Sequence, residues 1–385
     1  MLSGVHVVLG VCGSIAAVRT VELAHELRRH GAEVRAVTSG EATGIIHPNA
    51  LAFATDHDVV TELTGAVEHV DLCGYDGWGD VLLLAPATAN TIGKIAGAID
   101  DTPVTTCATT AIGAELPVVV APAMHAPMYD HPGVQAASDR LRQWGVEFVA
   151  PRLEEGKAKI ADHEAIVTGV ARAHRPDPLA GKTVVVTSGA TMEAIDPVRV
   201  LTNRSSGRMG RAIARACHVL GADVELLHDG PDVPYASVTE VTTAAGMRDA
   251  AVAAGPAADA LVSAAAIGDF VVDSSATKLD SGRKHTLTLE PGPKLIDDVR
   301  EAAPSLPIVG FKAGTGRDED LGTAATRLQE RVDAAFVVAN EVSVMGATST
   351  TATIVDGEDR TSITGEKQQV ALQVVERLAD HLGTK

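Results

Sequence analysis

The chain has 385 residues, 45% hydrophobic, 21% charged and 3% aromatic, with 32 Lys+Arg against 50 Asp+Glu and a formal net charge of −18. That length suggests two or three domains, and the apolar share is enough for sizeable cores, which argues against wholesale disorder. The charge argues against a nucleic-acid binder, which needs a basic face, and no uninterrupted apolar run reaches the roughly 18 residues of a membrane span.

The opening MLSGVHVVLGVCGS has no basic leader region and reads as a first strand, not a signal peptide. Strands are predicted at VHVVLGV (5–11), VRAVTS (34–39), DVLLLAPA (80–87) and PVVVAPA (117–123). Amphipathic stretches separate them, such as AAVRTVELAHELRRHG (16–31), with Gly31 as the helix stop. Short continuous apolar runs spaced by helices indicate buried parallel strands in βαβ units. HRPDPLAGK (174–182) breaks the rhythm with two prolines and a glycine. Residues 174–180 are therefore assigned as a linker between a domain at 1–173 and a domain at 181–385.

The rhythm then restarts without repeating the first half. TVVVTSG (183–189), DVELLHDG (223–230), DALVSAAAIGDF (259–270), PIVGFKAG (307–314), DAAFVVANE (333–341) and TATIVDG (351–357) read as strands. RMGRAIARACHVLGA (208–222) and KQQVALQVVERLADHL (367–382) read as helices. The fold class is α/β, two three-layer domains with helices on both faces of each sheet. Cys12, Cys73, Cys107 and Cys217 are widely spaced with no CxxC pair, which fits free thiols in a reducing cytoplasm. The 14 His residues form no HExxH-type cluster.

Chemistry-bearing residues gather where strands end. Gly10-Val-Cys-Gly13-Ser14-Ile15-Ala16 follows a strand and opens a helix, whose free N–H groups suit an anion. The spacing is not GxGxxG, and the same residues would also serve a plain tight turn. Thr38-Ser39-Gly40 is a second such turn. Ala85-Pro86-Ala87-Thr88-Ala89-Asn90-Thr91 ends a buried strand in small and hydrogen-bonding residues, as a flat ligand requires. TTCATTA (105–111) and APAMHAPMYDHP (121–132) repeat the theme, and His69 stands alone in GAVEHVDL.

GSIAA, HVDL, APATANTIGK and PAM in that order resemble the homo-oligomeric flavin-containing cysteine decarboxylase family over residues 4–172. The resemblance implies a flavodoxin-like sheet that binds FMN through Gly13, Ser14, Ile15, Ser39, Thr88, Asn90 and Thr106. It implies His69 as catalytic base, and Asn90, Met124, His125, Lys157 and Lys159 as substrate-binding residues. It further implies trimers with the flavin at subunit contacts. Two departures stand out. His125 replaces the family's usual Asn after PAM, and PRLEEGKAKIAD (151–162) lacks the flap Cys of many bacterial members. An imidazole can still donate to a substrate carboxylate.

In the second half, TSGATMEAIDPVRVLTNRSSGRMG (187–210) is the most informative segment. A packed core has no need of NRSSG before a helix. AAAIGDF places Asp269 past a strand, with Lys278, Arg283 and Lys284 soon after on a flap or an ordinary loop. One carboxylate can suffice for Mg²⁺ carried by phosphates.

SGAT, IDPVR, TNRSSGRMG, AAAIGDF, GFKAGT and VANEVS resemble phosphopantothenate–cysteine ligases over residues 181–382. The resemblance implies a Rossmann-like sheet. Gly189, Asp269, Lys278 and Phe311 would bind nucleotide, Asn203 the acyl intermediate, Asp269 Mg²⁺, and Lys278 would stabilise developing charge. Gly-Phe-Lys departs from the common Gly-Phe-Ala. The two halves in this order match the bifunctional coenzyme A biosynthesis family. That match implies cytoplasmic enzymes with small-molecule substrates (4′-phosphopantothenate, cysteine and CTP), without nucleic acid or membrane, and with trimeric flavin and dimeric ligase domains. Ligation through an acyl-cytidylate would come first. Oxidation of the cysteinyl side chain to a thioaldehyde, loss of CO₂ and return of the electrons would follow, giving 4′-phosphopantetheine. A flavoprotein joined to a ligase for another thiol, and a non-catalytic regulator, are the rival readings.

Only 10 of the 32 basic residues are Lys. An acidic, Lys-poor surface fits adaptation to high salt, where screening relieves self-repulsion. On that hypothesis the urea midpoint rises between low and molar KCl, and equal midpoints refute it.

Overall fold

The computed structural model describes residues 1–314, 321–341 and 349–383. Thr315 of the GFKAGT motif and Val342 and Ser343 of VANEVS lie outside the described residues. Contacts divide the chain into two units, Met1–Arg175 and Pro176–Lys385.

In the first unit, β1 (His6–Val11), β2 (Glu33–Thr38), β3 (Val81–Ala87), β4 (Val118–Pro122) and β5 (Glu147–Phe148) form a parallel sheet. Its order is β2-β1-β3-β4-β5, the flavodoxin-like arrangement. Every residue of β3 and β4 is buried, because helices cover both faces. Side chains alternate across a strand. Val8, Leu82, Leu84 and Val120 share one face with α2 (Ala89–Ala96), α3 (Pro103–Gly113) and α4 (Pro132–Gln143). Outside that cluster α1 (Thr20–Arg29) packs on β2, and α5 (His163–His174) packs on β3 and β4, completing three layers. A small antiparallel sheet joins Met124–His125, Lys157–Lys159 and Arg152–Glu154 beside the end of β4.

The second unit's sheet contains β6 (Thr183–Thr187), β7 (Asp223–His228), β8 (Ser237–Glu240), β9 (Ala260–Ser263), β10 (Ile308–Gly314) and β11 (Phe336–Glu341) in parallel. The antiparallel pair β12 (Ser349–Asp356) and β13 (Asp359–Glu366) extends it. The order is β8-β7-β6-β9-β10-β11-β12-β13, so the six parallel strands follow the Rossmann order. α6 (Arg208–Val219) and α10 (Lys367–His381) pack side by side over Val184, Val186, Val262 and Phe336. α7 (Ala244–Ala254) and α8 (Leu295–Ala302) cover Val185, Leu261 and Ile308, and α9 (Leu321–Val332) covers Val337 and Val355.

Two features differ from the sequence expectation. TATIVDG runs antiparallel, with an unpredicted partner, β13, whose residues are mostly exposed and so carry no apolar run. The 174–180 segment is no free tether. His174 ends α5, and Leu179 is fully buried in the second core, its N–H donating to the Leu220 carbonyl at 2.9 Å.

Both tryptophans, Trp78 and Trp144, lie in the first unit. Leu179→Ala removes a fully buried side chain and is expected to cost the second unit about 2–5 kcal/mol. In urea the far-UV CD transition should shift down while the Trp fluorescence transition stays put. An unmoved CD transition would place Leu179 outside the core.

Candidate functional site

In open α/β sheets ligands bind beyond the strand C-termini, where the chain order reverses; in the first sheet that point lies between β1 and β3. A cavity of about 670 Å³ lies there, lined by Gly13, Ser14 and Ile15 after β1, Ser39 after β2, Thr88 and Asn90 after β3, and Met124 and His125 after β4. Three hydroxyl groups organise its floor. The Oγ atoms of Ser14 and Ser39 accept from the N–H groups of Ala16 and Ala42, each at 3.4 Å, and Thr88 Oγ1 accepts from Thr91 N–H at 3.2 Å. Each caps the turn that follows its strand. Gly13 allows the closest approach: a Cβ there would stand 2.5 Å from Glu41 Cβ.

Charge surrounds this floor. Arg19, Lys94, Arg152, Lys157 and Lys159 line the walls with Glu41. The Glu41 carboxyl is held below its usual range by its own backbone N–H and the Ser39 hydroxyl. Lys94 pairs with Asp101 at 2.8 Å, and Lys159 with Glu155 at 2.9 Å. Lys157 lies across from His125 in the small sheet and makes no ion pair among the described residues. Cys12, beside Gly13, is pushed up to about 11 by burial, against hydrogen bonds from Thr91 and Thr88. It stays a thiol at neutral pH and offers no nucleophile. A flavin nucleotide needs anion donors at one end and a flat slot at the other. The capped turns and basic walls supply the first; Asn90, Ala123, Met124 and Met128 supply the second. These residues fit the group.

Two expected residues are not on this wall. Thr106 Oγ1 donates to the carbonyls of Thr102 and Asp100 at 2.9 and 3.1 Å, while Thr102 and Thr105 face the cavity instead. His69 sits on the short helix Glu68–Cys73, which packs on α3, and its buried Nδ1 has no hydrogen-bond partner.

The second cavity, about 600 Å³, spreads over the C-terminal ends of β9 to β11 and the first residues of the antiparallel β12. Asn203, Asp269 and Phe311 line it, as do Arg204, Arg208, Lys294, Lys312, Arg331 and Lys367. Asn203 Nδ2 donates to the carbonyls of Ala266 and Ile267 at 3.1 and 3.3 Å, tying the NRSSG turn to the end of β9. Gly210 lets α6 sit on the turn after β6: a Cβ would stand 2.5 Å from Ser188 Cβ. Asp269 is largely exposed at the rim, 3.6 Å from Lys294, and Asp297 pairs with Arg331. No group of three or more His, Cys, Asp or Glu that could hold a metal occurs among the described residues.

Gly189 and Lys278 are off this wall. The Gly189 carbonyl accepts from Ala266 N–H at 2.9 Å, joining the turn after β6 to the cavity edge. Lys278 is exposed on the arm between the antiparallel strands Phe270–Val272 and Leu289–Pro291. Asp196 anchors that arm. Its carboxylate accepts from the N–H groups of Val198 and Arg199 at 2.8 Å and of Leu279 at 3.1 Å, with Arg199 Nη1 at 2.5 Å. Burial pushes the carboxyl up, but these donors and the guanidinium charge outweigh it and hold it at about 2.

Six of the ten lysines, Lys94, Lys157, Lys159, Lys294, Lys312 and Lys367, line the two cavities. No sequence motif marks Lys294, Lys367 or Arg331 as site residues, and Lys94 in APATANTIGK and Arg204 and Arg208 in TNRSSGRMG stand without an expected role. Lysine scarcity was the signal that could have found the three lysines, because a rare residue type concentrated at strand ends marks a local need for positive charge.

Comparison with known proteins adds the following. Residues 1–174 match the family model described as Flavoprotein, and residues 179–382 match the DNA/pantothenate metabolism flavoprotein C-terminal domain. A Thermococcus kodakarensis protein is 50% identical over 353 residues, covering 90% of this chain and 87% of its own. A Methanocaldococcus jannaschii protein is 34% identical over 385 residues (98% and 94%), and a Bacillus subtilis protein 35% over 371 (90% and 88%). Each is named coenzyme A biosynthesis bifunctional protein CoaBC.

The depressed Asp196 value sets a pH window. The clamp is fully present above the ordinary value of 3.8 and is lost as pH falls through about 2. Pepsin cleavage within 273–288 should therefore accelerate as pH is lowered across that window. Asp196→Asn should be cleaved there fast throughout it. A wild-type rate that does not change would remove the clamp role.

Proposed function

The chain belongs to the family of bifunctional coenzyme A biosynthesis proteins, and from that membership we propose how its two units divide the work. It is an enzyme with ligase and decarboxylase activities. The C-terminal unit joins 4′-phosphopantothenate to cysteine, using CTP and Mg²⁺. The N-terminal unit, holding FMN, decarboxylates the product to 4′-phosphopantetheine. The observation that carries this reading is the second cavity, where six cations face two carboxylates in a chain of net charge −18. Such a cavity suits two polyanionic substrates at once.

In the ligase unit a carboxylate must attack the α-phosphorus of CTP, releasing pyrophosphate and forming an acyl-cytidylate. The cysteine amine then displaces CMP. Two anions must meet, so the site must first neutralise them. Arg331 and Lys294, already beside Asp297 and Asp269, together with Lys312 are placed for that. Asp269 would share Mg²⁺ with the phosphates, and Phe311 would flank the nucleotide. Lys278, on an arm continuous with Asp269 and Phe270, would stabilise the charge growing at phosphorus. Asn203 would hold the acyl carbonyl region, and Gly189 would shape the nucleotide turn.

In the decarboxylase unit the bound flavin would supply the oxidation and re-reduction that make carbon dioxide a leaving group. Gly13, Ser14, Ile15, Ser39 and Thr88 would hold it, with Asn90 shared by substrate and ring. Thr106 would act only through the first turn of α3. His125 and Met124 would bind the substrate carboxylate end, and Lys157 and Lys159 its phosphate. His69 would move the proton. It is off the wall of its own chain's cavity, and exposed Val67 and Val70 flank it. That apolar flank supports a trimer in which a neighbouring subunit completes the site. A dimer of ligase units and a cytoplasmic location complete the proposal.

The direct test is turnover of CTP to CMP and pyrophosphate that requires both 4′-phosphopantothenate and cysteine; no such turnover overturns the ligase assignment. His69→Asn should abolish CO₂ release and leave amide formation intact, and retained decarboxylation would refute its role. Lys278→Gln should slow cytidylate formation without touching decarboxylation of added substrate. A joint loss of both activities would show the partition to be wrong.

A further inference from the structure

Cys73 and Cys107 have no part in the chemistry above. Cys73 ends the short helix Glu68–Cys73, and Cys107 lies in α3. Both are buried in one core cluster, where the helix packs on α3. Their thiols meet: the hydrogen bond with Cys107, then burial, then the Cys107 charge hold the Cys73 thiol above its ordinary range. The other two cysteines stand apart from this pair. Cys12 meets Thr91 and Thr88, and Cys217 lies in the second unit. Cys73 is joined to the reaction through His69. The two stand four residues apart on one helix and so share a face, and His69 Nδ1 is buried as well. α3 presents Thr105 to the flavin cavity, two residues before Cys107. The short helix is lightly held. Its buried residues are Leu72 and Cys73, and so short a helix has little stability of its own. Packed, the pair stays as thiols, because the thiolate is the form that attacks an oxidant. When the helix lifts off α3, both sulfurs are uncovered together.

We propose that Cys73 and Cys107 form a reversible oxidation site for peroxides, and that their disulfide displaces His69 and slows decarboxylation. The second half of this inference rests on the reading of His69 as the residue that moves the proton. The Cys73 thiolate attacks one peroxide oxygen, the O–O bond breaks, and the hydroxide that leaves takes up the thiol proton as water. Cys73 is left as a sulfenic acid. The Cys107 sulfur then attacks the Cys73 sulfur, and the sulfenic oxygen leaves as a second water with the Cys107 proton. Two electrons pass from the sulfurs to the peroxide, and a dithiol returns them by exchange. The new bond is shorter than the thiol contact it replaces, so closure draws the end of the helix toward α3. A misplacement of about 1 Å at a reacting group costs roughly 100-fold in rate.

The test treats the full-length, FMN-loaded chain with hydrogen peroxide, removes the excess with catalase, and takes two readouts. Peptide mass spectrometry after unfolding in iodoacetamide should show a Cys73–Cys107 cross-link, with Cys12 and Cys217 alkylated. CO₂ release should fall about tenfold or more, CTP-dependent ligation should stay within about twofold, and dithiothreitol should restore the loss. Cys73→Ala and, separately, Cys107→Ala should keep untreated decarboxylation within about threefold, since a buried thiol packs as a small apolar group, and should lose the sensitivity to peroxide. Absence of the cross-link in the wild type overturns the site, whatever the variants do. A cross-link with unchanged CO₂ release overturns the displacement of His69. A loss that dithiothreitol does not reverse, or that persists in Cys73→Ala, belongs to other oxidised groups and overturns the proposal too. If the untreated chain releases no CO₂, the decarboxylase reading fails, while the cross-link still decides whether the pair oxidises.

Discussion

A parallel strand cannot turn straight back on itself, so each crossover in this chain begins at the same edge of its sheet. That constraint decides where negative ligands can be held. Ser14, Ser39 and Thr88 cap three such beginnings within one cavity, and α6 begins at the other, joined there by the start of α10, which follows the antiparallel strand β13. Helix starts carry unsatisfied N–H groups, so both edges attract anions before any charged side chain is counted. The side chains then add what the edge lacks. A chain with a strongly negative average cannot steer anions from afar, so its few lysines are concentrated where the edges already lean positive.

Catalytic and binding residues are carried differently. The residues that line the cavities sit mostly at strand ends and helix starts, on rigid parts of the two sheets. The two assigned to chemistry do not. His69 is on a short helix packed on α3, and Lys278 is on an arm between two short antiparallel strands, anchored through Leu279 by Asp196. Scaffold elements fix where a substrate lies, and appended segments bring the reactive group to it. The Asp196 clamp ties the second of these appendages back to the scaffold.

How much of this could be read from the residues follows from burial. β3 is seven buried residues, VLLLAPA, and an apolar run of that kind is visible because helices cover both faces. β13, DRTSITGE, has one buried residue, so nothing in its hydropathy marks it. Leu179 reads as linker because prolines and a glycine surround it, although its own side chain belongs to the core. The site was legible where residues follow a strand directly: Ser14, Thr88, Met124, Asn203 and Phe311 all face cavities. It was illegible where the wall comes from the first turn of a distant helix, as with Lys367, or where a helix presents Thr102 and Thr105 but turns Thr106 to its own backbone. A one-residue step along a helix rotates a side chain by more than a quarter turn, which composition does not register.

Gly13 and Gly210 shape the two sites by what they omit. Around each, neighbouring atoms occupy the space where a Cβ would project, Glu41 in one case and Ser188 in the other. Every amino acid reachable from a glycine codon by one nucleotide change adds that atom. There is thus no gradual route by which either cradle can drift in a descendant lineage. A mutant must move the opposing turn in the same step or lose the fit at once. Change in substrate preference therefore has to accumulate on the walls, among the lysines and arginines, while the floors stay as they are.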